Sequence, residues 1–180
     1  MAIANGMKWL VRVIVRELFR SSARTRRRKS QSRSTRCPDT LTGKAYVTDG
    51  DGIRVNGQEI RFAGLDSPEF DQMAKHRDGY WFPHGKRVKK ALIRKIGGKW
   101  VHITIENHDK FGRAVGTVTC NGEDIGEWLV REGHAIAAYS DRYKAVERQA
   151  REARREMWDH AVTLDPRRHR HRKKSGRSTL

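Results

Sequence analysis

The sequence has 180 residues, 36% hydrophobic and 33% charged, with a formal net charge of +18, a length that carries one domain with a real core and excludes two comfortable ones. The charge is uneven: residues 1–36 hold eleven Lys/Arg against one acid, residues 159–180 seven against two, and the stretch between them twenty-one against eighteen. This predicts a nearly balanced domain between basic tails, which attract polyanions through counterion release, and no apolar run approaches a membrane span.

Residues 7–19 are apolar but broken by Arg12 and Arg16, and Lys8, Arg12, Arg16 and Arg20 recur every four residues. That spacing makes a basic stripe on a helix, which reads either as a contact with an anionic membrane surface or as a frayed helical leader. A signal peptide would want an uninterrupted apolar centre, so the sequence leaves the compartment open between cytoplasmic or membrane-associated and secreted or periplasmic. Residues 21–36 have no periodic apolar position and read as a disordered linker. Residues 1–39 are therefore a basic leader, 40–159 the folded domain and 160–180 a basic disordered tail. Cys37 and Cys120 have no metal or redox spacing.

Within the domain, residues 45–48 are β-prone. Residues 52–55 and 59–63 flank Asn56-Gly57, a two-residue hairpin signal, because both residues tolerate the positive φ of a type I′ turn. Pro68 ends this run. Residues 70–82 show no period and read as a loop. From Pro83, Val88, Ala91, Leu92 and Ile96 follow at helical spacing until Gly97-Gly98. Residues 100–106 and 114–120 alternate as strands, with Asn121-Gly122 as a second turn. Short and long amphipathic helices are expected at 125–132 and 143–157. Strands, a helix, strands and two helices make an α+β domain whose small antiparallel sheet closes into a barrel.

The chemistry concentrates in DGDGIRVNGQEIRFAGLDSPE, residues 49–69, and DKFGR, residues 109–113. Asp51, Asp66 and Glu69 offer carboxylates for a hard cation, and Arg61 and Arg113 offer guanidinium forks for a phosphate. Singly, each has an ordinary reading as a turn, cap or surface charge. The eight histidines show no ligand spacing, and His169 and His171 fall in the basic tail, so they read as surface or tail residues.

DGDG…R…LDSPE followed by DKFGR, then LVREGHAIAAY and a Glu/Ala/Arg-rich helix closing on Trp158, resembles the staphylococcal nuclease (thermonuclease-like) family over roughly residues 44–158. The resemblance implies a five-stranded OB-type β-barrel with about three helices, and a calcium-dependent endonuclease or phosphodiesterase acting on DNA or RNA. It places calcium on Asp51, Asp66 and the Ser67 carbonyl, and the water-orienting or basic carboxylate on Glu69. Phosphate-binding arginines fall on Arg61 and Arg113, and substrate contacts on Lys110, Phe111 and Tyr139. Phe111 stands where the family usually has tyrosine, a second nearby tyrosine has no counterpart in SDRY, and Gly52 replaces a threonine of the metal loop. The expected cut is at the 5′ P–O bond, leaving 3′-phosphate ends, in single-stranded or frayed nucleic acid bound by a monomer. The alternative is an OB-type module that grips nucleic acid without cutting, which would be expected to lack members of this carboxylate and arginine set.

Overall fold

The computed structural model describes residues 39–176; the predicted leader helix and linker lie outside the described residues. The chain enters as β1 (Thr40–Lys44) and β2 (Tyr46–Asp49), which are two halves of one strand bent at Ala45. β3 (Gly52–Val55) and β4 (Gln58–Phe62) follow across the predicted turn, where Asn56 and Gly57 take φ of 49° and 83°. After α1 (His84–Ile96) come the long β8 (Trp100–His108) and β9 (Ala114–Cys120). The sheet order is β1-β8-β9-β4-β3-β2, with the short β10 (Glu123–Asp124) added to β9.

Because β1 and β2 sit at opposite ends of that order yet are consecutive in the chain, the sheet must curl, giving the expected OB-type α+β arrangement. Asn56 Nδ2 donates to the Thr42 carbonyl at 3.1 Å, and a Cβ on Gly43 would lie 2.7 Å from Val55 Cγ1. Only glycine lets the bent strand come that close. All pairings in this sheet are antiparallel except β4 with β9, whose register is Ile60↔Ala114 and Arg61↔Val115. Inside the curl, Ile53, Val55, Ile60, Phe62, Ile103 and Val118 are buried against Leu92 and Ile96 of α1. Ile125 and Leu129 of α2 (Ile125–Arg131) complete this core. The period-2 burial along β4 puts Ile60 and Phe62 inside, so Arg61 between them points to the other face.

Three expectations are corrected. Residues 70–82 are not wholly a loop, because β6 (Met73–Lys75) and β7 (Trp81–Pro83) pair as a small hairpin. The long helix expected at 143–157 is α3 (Lys144–Glu152) followed by a reversal at Arg154, φ 50°, and a 3-10 turn at Glu156–Asp159. The reversal packs the Arg155 carbonyl onto Gly133 and buries Met157, a gain that a continued helix would forgo. Finally, the region read as a disordered tail contains α4 (Pro166–Lys174). Asp165 caps it by accepting from Arg167 N at 2.7 Å, and Pro166 occupies its first turn. Backbone bonds between Lys75 and Val162, and a Gln72 side-chain bond to the Leu164 carbonyl, fasten the approach to α4.

Candidate active site

Four short pieces of chain deliver the site. The β2–β3 turn presents Asp51, whose carbonyl accepts from Phe62 N at 3.0 Å and so is tied to β4. β5 (Leu65–Asp66) carries Asp66, fully buried, and pairs with β11 (Ile136–Ala137). Ser67 and Glu69 follow across Pro68, and the backbone of that loop rests on the start of α1. A Cβ on Gly85 would fall 1.7 Å from the Glu69 carbonyl oxygen, so the helix can approach only because residue 85 is glycine. The turn before β9 carries Arg113. Its Asp109 accepts from the Phe111 and Arg113 backbone N–H groups at 2.9 and 3.0 Å and from Arg113 Nε at 2.8 Å.

The parallel β4–β9 register places Arg61 and Arg113 at the same end of the pair. Together Asp49, Asp51, Arg61, Ser67, Glu69 and Arg113 line a cavity of about 290 Å³. Asp66 lies behind it, joined through Arg61, whose Nη2 is 2.7 Å from Asp51 Oδ2 and 2.9 Å from Asp66 Oδ1. A second, larger cavity of about 970 Å³ shares Arg61, Glu69 and Arg113 with the first and is lined by Lys110, Phe111 and Tyr139. Phe111 and Tyr139 are 73% and 67% exposed, so both stand at the open rim of this cavity. Every residue singled out in the sequence thus falls at these two adjoining cavities or directly behind them.

Burial pushes the Asp51 carboxyl up to about 6, with Asp66, Asp49 and Glu69 adding to the effect and Arg61 opposing it. Asp49 is raised as well, chiefly by burial.

A second guanidinium arrives from an element not foreseen. Arg170 of α4 places Nη1 2.6 Å from Glu69 Oε1 and 3.2 Å from Asp66 Oδ1, with Nη2 2.7 Å from Asp66 Oδ2. Arg167 stacks over the Tyr139 ring at 4.8 Å. The sequence signal for α4 is the Asp165-Pro166 pair, a cap followed by a first-turn proline; nothing in the local pattern says that Arg170 turns inward. Asp109, which aims Arg113, is likewise not foreseen as a site residue.

An acidic oxygen cluster threaded by arginines, beside a groove with exposed aromatic rings, suits a cation and a phosphodiester better than an apolar ligand. Residues 59–160 match the family described as "Staphylococcal nuclease homologue". Among similar proteins is "Probable staphylococcal-like nuclease CAN2" of Oryza sativa subsp. japonica, 36% identical over 112 residues, 60% of this chain and 28% of that protein. "Staphylococcal-like nuclease CAN1" of Arabidopsis thaliana is 26% identical over 143 residues, 76% of this chain and 41% of that protein. "Succinoglycan biosynthesis protein ExoI" of Rhizobium meliloti (strain 1021) is 29% identical over 105 residues, 57% of this chain and 55% of that protein. The chain thus spans less than two thirds of each of these relatives. The family match takes in more than half of the chain, from β4 onward, including Arg61, Asp66, Glu69 and Arg113, and on that ground the chain belongs to the staphylococcal nuclease homologue family.

Proposed function

We propose that the domain is a divalent-cation-dependent nuclease that hydrolyses phosphodiester bonds of single-stranded or frayed DNA or RNA. The observation that carries this reading is the meeting of Asp51, Ser67 and Glu69 with Arg61 and Arg113 around one cavity. The residues fit a hard cation: the donors are all oxygens, and burial destabilises the charged form of Asp51, which a bound divalent ion would favour. Asp51, Asp66 and the Ser67 carbonyl would hold it, with calcium as the expected ion. When bound, it would supply neutralisation of phosphate charge.

The remaining work belongs to side chains. Arg61 and Arg113 are placed to bind non-bridging phosphate oxygens as charge grows on them, and each contributes about 2–4 kcal/mol of transition-state stabilisation by analogy with oxyanion donors. Asp109 keeps Arg113 extended toward the cavity, so that little rotamer freedom is lost on binding. Glu69 orients the attacking water or accepts its proton. In the adjoining groove, Phe111 and Tyr139 offer stacking surfaces for bases, and Lys110 a charge for a neighbouring phosphate. Stacking and phosphate contacts are indifferent to base identity, so weak sequence preference is expected.

The test is cleavage of heat-denatured DNA and of RNA, with calcium and with a chelator, beside a Glu69→Gln/Arg113→Ala variant. Calcium-dependent cutting that disappears in the variant supports the nuclease. Binding of both polymers without cutting under any divalent ion would transfer the domain to the non-catalytic OB-type reading.

A further inference from the structure

His84 opens α1 and is fully buried, and neither of its ring nitrogens has a hydrogen-bond partner. His160, which follows the 3-10 turn, meets it edge-on with ring centroids 4.8 Å apart, and its Nδ1 is also buried without a partner. Burying such a group without a partner is destabilising. Phenylalanine or leucine would fill the same volume without that cost, so packing alone does not account for two imidazoles here.

Glu156 completes the group. One ligand atom from each of His84, Glu156 and His160 lies within 4.8 Å of the others. The carboxylate is oriented by Arg87, with Nε 2.9 Å from Oε1 and Nη2 3.3 Å from Oε2. Glu156 takes φ 40°, in the left-handed region. Phe82 forms an apolar wall, its ring 4.8 Å from that of His160 and 5.8 Å from that of His84. Burial disfavours the charged imidazolium, and a neutral imidazole has a lone pair to give.

We propose that His84, Glu156 and His160 form a second metal site, for a borderline transition ion of the zinc class. Two imidazole nitrogens and one carboxylate oxygen suit zinc, whereas the acidic cavity offers only oxygens and suits calcium. Ligands at about 2.0–2.1 Å from a tetrahedral ion stand roughly 3.4 Å apart, so binding draws the three side chains together. Arg87 then stays as the partner that orients the carboxylate, a role that ligating groups commonly need filled. The site ties the turn after α3 to the first residue of α1, one position before Gly85, on which the Glu69 loop rests. It therefore braces that wall from behind, whatever chemistry the wall supports.

The experiment uses the full chain stripped with a chelator and titrated with Co2+ as a spectroscopic probe, then with Zn2+. One equivalent of Co2+ should give visible d–d absorption of tetrahedral character that Zn2+ displaces. Zinc at about a hundredfold over its Kd should raise the Tm by roughly 5–10 °C. Both effects should persist in Asp51→Asn, which alters only the acidic cavity, and should be lost in His160→Gln and in Glu156→Gln. His160 is half-buried and Glu156→Gln keeps the side chain's shape, so these variants are expected to fold, as far-ultraviolet circular dichroism would verify. A signal that survives in either one places the ion elsewhere and overturns the proposal. So does a wild-type protein that takes up no ion, whose buried nitrogens would then be met by water.

Discussion

Arg61 and Arg113 have parallel roles in the proposed chemistry, but their removal should read differently. Arg113 is partly exposed and paired with Asp109, a surface ion pair that solvent screening leaves with little net effect on stability. Arg113→Ala should therefore fold with near-normal Tm while kcat falls roughly 10²–10³-fold; near-normal turnover would refute its role. Arg61 holds buried Asp51 and Asp66 together, and removing one member of such a group leaves charge uncompensated. Arg61→Ala should lose activity and also destabilise by on the order of 3 kcal/mol, seen as a lower urea midpoint. Asp51 supplies a pH test. Its folded pKa, about 6, lies above its ordinary 3.8, so its contribution to stability is present below pH 3.8 and lost as pH rises through 6. Asp51→Asn should therefore raise the Tm of metal-free protein at pH 7.5, by up to about 1–3 kcal/mol in stability. That advantage should shrink toward pH 5; an unchanged or lower Tm at pH 7.5 would show that the carboxylate is not under electrostatic stress.

At the scale of elements, the site depends on two contacts between helices and loops. Gly85→Ala would put a methyl group into the Glu69 carbonyl. It should cost roughly 1–3 kcal/mol by overpacking and lower kcat more than tenfold by displacing Glu69, measured by denaturation and initial rates. The second contact is α4, whose Arg170 occupies oxygens of both Asp66 and Glu69. A cation seeking Asp66 competes with that guanidinium, so Arg170→Gln should lower the calcium concentration for half-maximal cleavage several-fold; an unchanged requirement would show that the contact yields without resistance. These elements differed in how plainly the sequence announced them. Turns at Asn56-Gly57 and Asn121-Gly122, and α1 with its Val88, Leu92 and Ile96 stripe, carry local signatures that tertiary packing reinforces. The reversal at Arg154 and the inward turn of α4 are decided by distant partners, Gly133 and the site carboxylates. The local pattern there is only a run of charge. The pairing of His84 with His160 was hidden for the same reason: 76 residues separate them, and only the fold sets one against the other.

For the molecule as a whole, the order of the motifs in the sequence names the candidate residues, while their geometry comes from the curled sheet. The parallel β4–β9 pair is a junction between strands about fifty residues apart, as the antiparallel β1–β8 pair is between strands still further apart. Hairpins such as β3–β4 can form early and locally, whereas this junction must wait until a long loop, including α1 and β8, has closed on itself. Arg61 and Arg113 are brought to the same cavity only at that step. Catalytic competence should therefore be among the last properties to appear on refolding, lagging helical signal at 222 nm and rising with the slowest phase. Activity that returned in step with the earliest phase would mean that the two arginines meet before the barrel is complete.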